Sequence, residues 1–330
     1  MRSVAEYREL ASVSAIRRPI GAVKNRGHLI KSGLGAALLA NILWGTSFLA
    51  SKYTLESWGP FTASALRFLL ATLLMFAGMK LFRREIRAPK SMRAWVGVSV
   101  MALTGFGFLY PLQLAGLKLI GSGISAAIML TSPLIVVIAG KVILEDKLTA
   151  RKLTGIGLGI LGGTVLLAGV EEFALSGSRE FWLGSLLTIA ASVCLALSVI
   201  ATRKLSKELD SGSLTFWSMG IGFVFLAISA SLFEGANPTT IISSGTTHSW
   251  LALLFLSGVC SAFCFFIWNF ALAKASPREI ASMMHIKTPT AVLLGVCIAG
   301  EGLSPALVAG TVIMMVGVWI SQTTARERLR

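Results

Sequence analysis

Charge is scarce in this 330-residue chain, and negative charge scarcest of all: 14% of residues are charged and only 15 are acidic. A soluble domain carries about 25% charged residues, so the charged exterior that water demands is missing. The two aspartates, Asp146 and Asp210, fall outside the apolar runs, and no run has an acid at its centre. That argues against a sodium site built from carboxylates, although backbone carbonyls could still build one. Histidine occurs three times and cysteine four times. Cys194, Cys260, Cys264 and Cys297 lie within apolar runs without metal-ligand spacing to histidine. They read as small packing residues, and neither a metal nor a cofactor is expected. HExxH, GxSxG and Walker sequences are all missing, which argues against a membrane protease, a lipase and an ATP-driven pump.

What is present is apolar. Hydrophobic residues make up 55% of the chain and the mean hydropathy is +0.77, so the solvent for most of it is lipid. The net charge of +15 invites a nucleic-acid reading. The basic residues lie between apolar runs rather than on one polar domain, so a lipid bilayer is the expected partner and a nucleic acid is not. Residues 1–32 carry seven Lys/Arg against Glu6 and Glu9, and no apolar core follows, so they read as a cytoplasmic tail and not a secretory signal.

Apolar runs near 33–52, 60–82, 94–117, 121–141, 150–170, 181–202, 213–233, 249–273, 277–300 and 304–323 predict ten transmembrane helices. Each has the ~20 residues needed to cross ~30 Å of hydrocarbon. With the N-terminus in the cytoplasm, the cytoplasmic segments hold 7, 6, 4, 3, 2 and 3 Lys/Arg, and the outer loops hold only Lys118 and Arg179. Losing one span would put the later loops on the wrong side of this bias, so an even count with both ends inside is expected. Residues 324–330 then form a cytoplasmic tail.

An internal repeat underlies the ten runs. A shift of 156 residues lays Pro133 on Pro289, Gln113 on Asn269, Ala115 on Ala271, Lys118 on Lys274 and Glu145 on Glu301. A one-residue slip then lays Gly155 on Gly310 and Gly162 on Gly317. Five spans per copy is odd, so the second copy (181–323) enters the membrane from the face opposite to the first (33–170). Inverted repeats of this kind suit alternating access around a midplane site for a small-molecule substrate.

The sequence resembles the EamA-type permeases of the drug/metabolite transporter superfamily over about residues 33–323. The resemblance rests on Trp44-Gly45-Thr46-Ser47-Phe48 with Lys52, Pro60 with Arg67-Phe68, and Ala126-Ala127 to Ser132-Pro133-Leu134 ending at Glu145. It rests also on the ladder Gly155, Gly159, Gly162, Gly163, and on Trp268-Asn269, Ala271-Leu272, Pro289, Glu301, Gly310 and Gly317 in the second copy. It implies a polytopic permease, often an exporter of amino acids or other metabolites, without naming the substrate. Export of bulkier amphipathic drugs and a non-transport intramembrane enzyme are the competing readings. His285 and Lys287 depart from the family pattern, where apolar or aromatic residues are expected.

Several residues stand out as candidates to bind substrate. Lys287, near the middle of the ninth run, costs roughly 2.5–3.5 kcal/mol to insert. It reads as an anchor for an anion, as a structural lysine on carbonyls freed by Pro289, or as a neutral amine. His285 reads as a proton-coupling or substrate group, or as a neutral histidine bonded between helices. Arg67 lies about 10 Å below the start of its helix. It reads as an anion binder, or as a side chain that snorkels outward or pairs with Glu56. Asn41, Trp44, Gly45, Phe48 and Lys52 recur at spacings of three and four, as a cavity wall or a packing face around Gly45. Gln113 and Asn269 are matched amides that either bond across the halves or hold a polar substrate, and Trp268 is an aromatic contact or core. Pro133 and Pro289 remove backbone donors in mid-helix and are candidate hinges. Glu145 and Glu301 are expected to be structural, each favouring the N-terminus of the helix that follows it. Spans five and ten are expected at the periphery, for packing or for contacts with a second copy in a homodimer.

Overall fold

A computed structural model describes residues 20–169, 179–274 and 286–322. His285 lies outside the described residues, as does the Asn269 side chain. The described chain is helical, with no strand among its residues. Seven helices, among them Gly33–Thr54, Arg179–Leu205 and Thr247–Trp268, are long and apolar enough to cross a bilayer, and Pro305–Ser321 is a shorter apolar one. Large apolar side chains stand exposed on the outside, Leu81, Val142, Leu232 and Phe233 each by more than 70%. Lipid solvates such a surface and water does not. In hydrocarbon each backbone N–H and C=O must be satisfied within the protein, which leaves helices as the spanning element here.

The first half runs α1 (Ile20–Thr54), α2 (Pro60–Leu81), α3 (Met92–Ala102), a π-helical segment (Leu103–Phe108), α4 (Leu109–Ile120), α5 (Ser122–Ile128), α6 (Thr131–Leu144) and α7 (Ala150–Gly169). The second runs α8 (Arg179–Leu205), α9 (Ser211–Glu234), α10 (Pro238–Ser244), α11 (Thr247–Leu254), a second π-helical segment (Phe255–Phe263), α12 (Cys264–Lys274), α13 (Lys287–Cys297) and α14 (Pro305–Gln322). α1 starts well before residue 33, so helix extends into the segment expected to be tail. The short α10 lies between two expected spans, and its N-terminus is closed by Asn237 and Thr240 bonding reciprocally.

The 156-residue register carries into the backbone. The π-helical segments fall at overlapping positions, and α6 and α13 begin at Thr131 and Lys287, one register apart. α7 and α14 begin at Ala150 and Pro305, one register apart after the slip. The copies interlock. α1 packs on α12 and α13 of the second half, α8 packs on α4 and α6 of the first, α2 packs on α9, and α7 on α14.

α7 and α14 cross on glycine. A Cβ on Gly162 would stand 2.7 Å from the Gly310 oxygen, and one on Gly155 would stand 2.5 Å from the Gly317 oxygen. These two contacts pair early residues of one helix with late residues of the other, so the equivalent helices run antiparallel. The repeat is therefore inverted. The glycine faces expected to serve packing are spent inside the chain, where they bring two backbones into contact.

The expected fourth span is in two pieces. The chain turns at Met129 and Leu130 between α5 and α6, and Pro133 is the third residue of α6. Pro289 is likewise the third residue of α13. Pro133 thus sits in the first turn of a helix, where an N–H would lack an intrahelical partner anyway, and not in mid-helix as the sequence suggested, while residues 275–285 ahead of Pro289 lie outside the described residues. The Met129 oxygen accepts from the Ser132 N–H and hydroxyl, which satisfies the carbonyl the break exposes.

Replacing Gly162 by valine forces apart two backbones in contact and is expected to cost about 1–3 kcal/mol. The unfolding midpoint in detergent should fall by several degrees. Gly157→Ala, where an added Cβ meets open space, should leave the midpoint unchanged or slightly raised.

Candidate functional site: a cationic and aromatic cluster between the halves

Breaking α5 from α6 and starting α13 at Lys287 brings the ends of short helices into the interior. The Thr288 hydroxyl donates to the Ala126 oxygen at 3.4 Å, so the start of α13 lies against α5. Gly45 of α1 allows this approach, since a Cβ there would stand 2.7 Å from the Lys287 oxygen and 2.6 Å from Thr290. One residue before and three after Gly45, α1 turns Trp44 and Phe48 inward.

An unbroken run of rings follows. Trp44 lies 5.2 Å from Trp268 and 5.8 Å from Phe265. Phe265 lies 6.1 Å from Phe106, which is 5.1 Å from Phe68, and Phe68 is 4.6 Å from Tyr110. Trp44 is fixed by an indole N–H donated to the Cys260 oxygen at 2.9 Å. That oxygen belongs to the second π-helical segment, whose wider turn presents backbone to its neighbours, a feature often found at functional sites.

Two cations lie against aromatic faces, one on Phe48 and one on the Phe68 and Tyr110 end of this run. The Lys287 ammonium is 5.2 Å from the centre of Phe48. The Arg67 guanidinium is 4.8 Å from the centre of Tyr110 and 5.5 Å from that of Phe68. Arg67 is 3% exposed, and its Nε donates to the Ser261 hydroxyl at 2.9 Å. It neither snorkels nor pairs with Glu56, which is exposed at the end of α1. Phe48 and Tyr110 pack into one apolar cluster, which places the two cations in the same part of the interior. Among the described residues neither has an acidic partner, since the described acids all lie at helix ends or in connections. A ring face contributes roughly 0.5–2 kcal/mol to a cation, well below the cost of burying one in hydrocarbon.

The remaining candidates divide. Gln113, one turn beyond Tyr110 on α4, is half-buried and makes no hydrogen bond among the described residues. Asn41 is buried on α1, its amide donating to Ala37 on the same helix at 2.8 Å. Lys52 lies at the end of α1, 3.7 Å from Glu301. The four cysteines are free, Cys260 and Cys264 buried in this packing. Tyr110, Phe106, Phe265 and Ser261 were not singled out by the sequence. The one available signal was a tyrosine inside a span, three residues from Gln113.

Glu301 does not serve the helix that follows it. Its carboxylate crosses to the first half and accepts from Ser122 N–H, the Ser122 hydroxyl and Gly123 N–H, each at 2.7 Å. Lys52 completes this clasp. Glu234, which the sequence did not flag, accepts in the same way from Phe61 N–H, Thr62 N–H and the Thr62 hydroxyl at 2.9, 2.8 and 2.6 Å, at the start of α2. Two carboxylates of the second half thus close two helix N-termini of the first, on one face of the molecule. Charge-assisted bonds of this kind contribute about 1.5–3 kcal/mol each. On the opposite face the ion pair between halves is Asp146 with Arg203 at 3.5 Å, about half exposed. A crevice of about 220 Å³ beside Glu301 is lined by Ile124, Val292, Val296 and Leu307 among others.

An all-helical membrane protein of two interlocked inverted halves, with a buried cationic and aromatic cluster at their junction, is built as a solute transporter is built. The EamA-like transporter family model matches residues 31–168 and again 182–323, and the chain belongs to that family. An uncharacterized transporter of Archaeoglobus fulgidus is 28% identical over 88% of this chain and 96% of its own length. A protein of Salmonella typhimurium named "probable amino-acid metabolite efflux pump" is 26% identical over 88% and 95%. An S-adenosylmethionine/S-adenosylhomocysteine transporter of Chlamydia trachomatis is 25% identical over 83% and 84%. A crystal structure with 20% sequence identity covers 88% of this chain and 96% of its own with a TM-score of 0.63, a likeness of fold. The protein is a multi-pass membrane permease of small metabolites.

Glu301→Gln removes the charge from the clasp and should loosen that face. In a chain freed of its native cysteines, a cysteine at Ile124 should be labelled several-fold faster by a polar maleimide once Glu301 is glutamine. Equal labelling rates would show that the clasp does not hold the face closed.

Proposed function

We propose that the protein is a secondary permease that exports small organic metabolites of the amino-acid class across the inner (plasma) membrane by alternating access. The observation that carries this reading is the pair of unneutralised cations, Arg67 and Lys287, held among aromatic rings where the two halves meet. A carboxylate entering there gains charge-assisted hydrogen bonds, while an apolar body rests on Trp44 and Trp268. The face with Glu301 and Glu234 is closed by carboxylate bonds between the halves, and on the opposite face the halves meet through the exposed Asp146–Arg203 pair and through Arg87 with Ser213 and Trp217. Export then requires the clasps to part and the Asp146 face to close. The inverted repeat supports this exchange because each half can take the conformation of the other.

Ten crossings with both termini in the cytoplasm follow from the charge bias, which makes the clasped face the outer one. His285 is proposed to carry a coupled proton, and the breaks ahead of Pro133 and Pro289 to act as hinges. Efflux of amphipathic cations is the weaker reading, because two cations without an acid repel such a substrate. No enzymatic step is assigned, since the buried cluster offers charge and aromatic surface without a nucleophile paired to a base.

In proteoliposomes, Lys287→Met should lower flux of a transported metabolite at least tenfold while the protein still elutes as a folded species from size-exclusion chromatography. Full flux in the variant would remove Lys287 from the site. A pH gradient should change the rate in the parent protein and not in His285→Asn. Tags at both ends should be protected from outside protease in intact cells.

A further inference from the structure

Unused hydrogen-bond donors in the cluster indicate which metabolites it takes. A guanidinium has five N–H donors and an ammonium three. Among the described residues Arg67 uses one, to Ser261, and Lys287 uses none. Seven charged donors therefore have no protein acceptor among the described residues and are left to meet the oxygens of a bound molecule. Arg67 is buried and Lys287 is partly buried, its ammonium on the face of Phe48. Among the described residues no carboxylate stands at the cluster to meet the α-amino group of a zwitterion. The rings nearest the cations, Phe48, Phe68 and Tyr110, already have their faces taken by the protein's own positive charges. The amide of Gln113 is left to meet one further polar group.

We infer that the site selects organic acids that are net anions, its Arg67 and Lys287 donors sharing the substrate's carboxylate oxygens, and that it discriminates against the same molecule when it carries a free ammonium. The preference rests on the transport reading above and narrows it from amino acids at large to their acidic or N-acylated relatives. Arg67 sets the sign of the charge accepted, and Trp44 with Trp268 sets how much apolar body fits.

The test uses the full-length protein in proteoliposomes and three carbon skeletons: alanine, phenylalanine and glutamate. Each is offered as the free amino acid and as its N-acetyl derivative. The acylated form should be taken up at least tenfold faster than its zwitterion for alanine and phenylalanine, and glutamate itself should outpace both zwitterions. Arg67→Gln should lower uptake of the acylated forms at least tenfold and bring the ratio toward one, with thermal unfolding as the check on folding. Should that variant not fold, Lys287→Gln is read in the same way. Zwitterions moving as fast as their N-acetyl forms would overturn the inference while leaving transport standing. Failure of all six compounds to move would overturn both.

Discussion

Hydrocarbon offers no hydrogen bond, and this single deficit shapes the molecule from backbone to site. It forces the chain into helices, and it makes each interruption of a helix a liability that the rest of the structure must cover. The interruptions sit between helices of the two halves. The turn at Met129 and Leu130 is satisfied by Ser132, the π-helical segment at Phe255–Phe263 gives its Cys260 oxygen to Trp44, and Lys287 begins α13 against Gly45 of α1. Polar backbone and charged side chains are gathered in one place because only there are they shielded from lipid.

The same deficit explains the asymmetry between the faces. Glu301 and Glu234 each meet two backbone N–H groups and a hydroxyl at the first turn of a helix, a geometry that uses the positive end of the helix as well as its free donors. Asp146 and Arg203 face one another at 3.5 Å with solvent around them, where an ion pair is worth little. On that second face the halves are joined as well by Arg87, whose N–H donates to Ser213 and whose oxygen accepts from Trp217. Because the clasps join first half to second, they oppose the relative motion that alternating access needs, and their strength sets which face rests closed.

Much of this was legible in the residues. The helical membrane class follows from hydropathy and from the want of charge, since no other arrangement solvates such a chain. The register between Pro133 and Pro289 was visible as spacing, and the glycines at 155, 162, 310 and 317 were visible as small residues in order. What they touch was not visible. The sequence put Pro133 in mid-helix because an apolar run gives no sign of where a helix stops inside it. It offered Glu56 to Arg67 because both lie near one end of α2, whereas burial takes the arginine to Ser261 on another half of the chain. It gave Glu301 to the next helix, but the helix end within reach belongs to α5. Glu234 passed unnoticed because an acid at the end of a span looks like any other surface charge.

Composition and order along the chain thus determined the helical class, the duplication and the presence of two cations in runs that have no acid at their centre, because those depend on transfer from water to lipid residue by residue. Tertiary structure alone decided that Arg67 and Lys287 share one aromatic enclosure, that Asn41 stays on its own helix, and that two glutamates close one face. Each of these is a contact between residues far apart in sequence, and its energy comes from orientation and distance across helices, which no local pattern encodes.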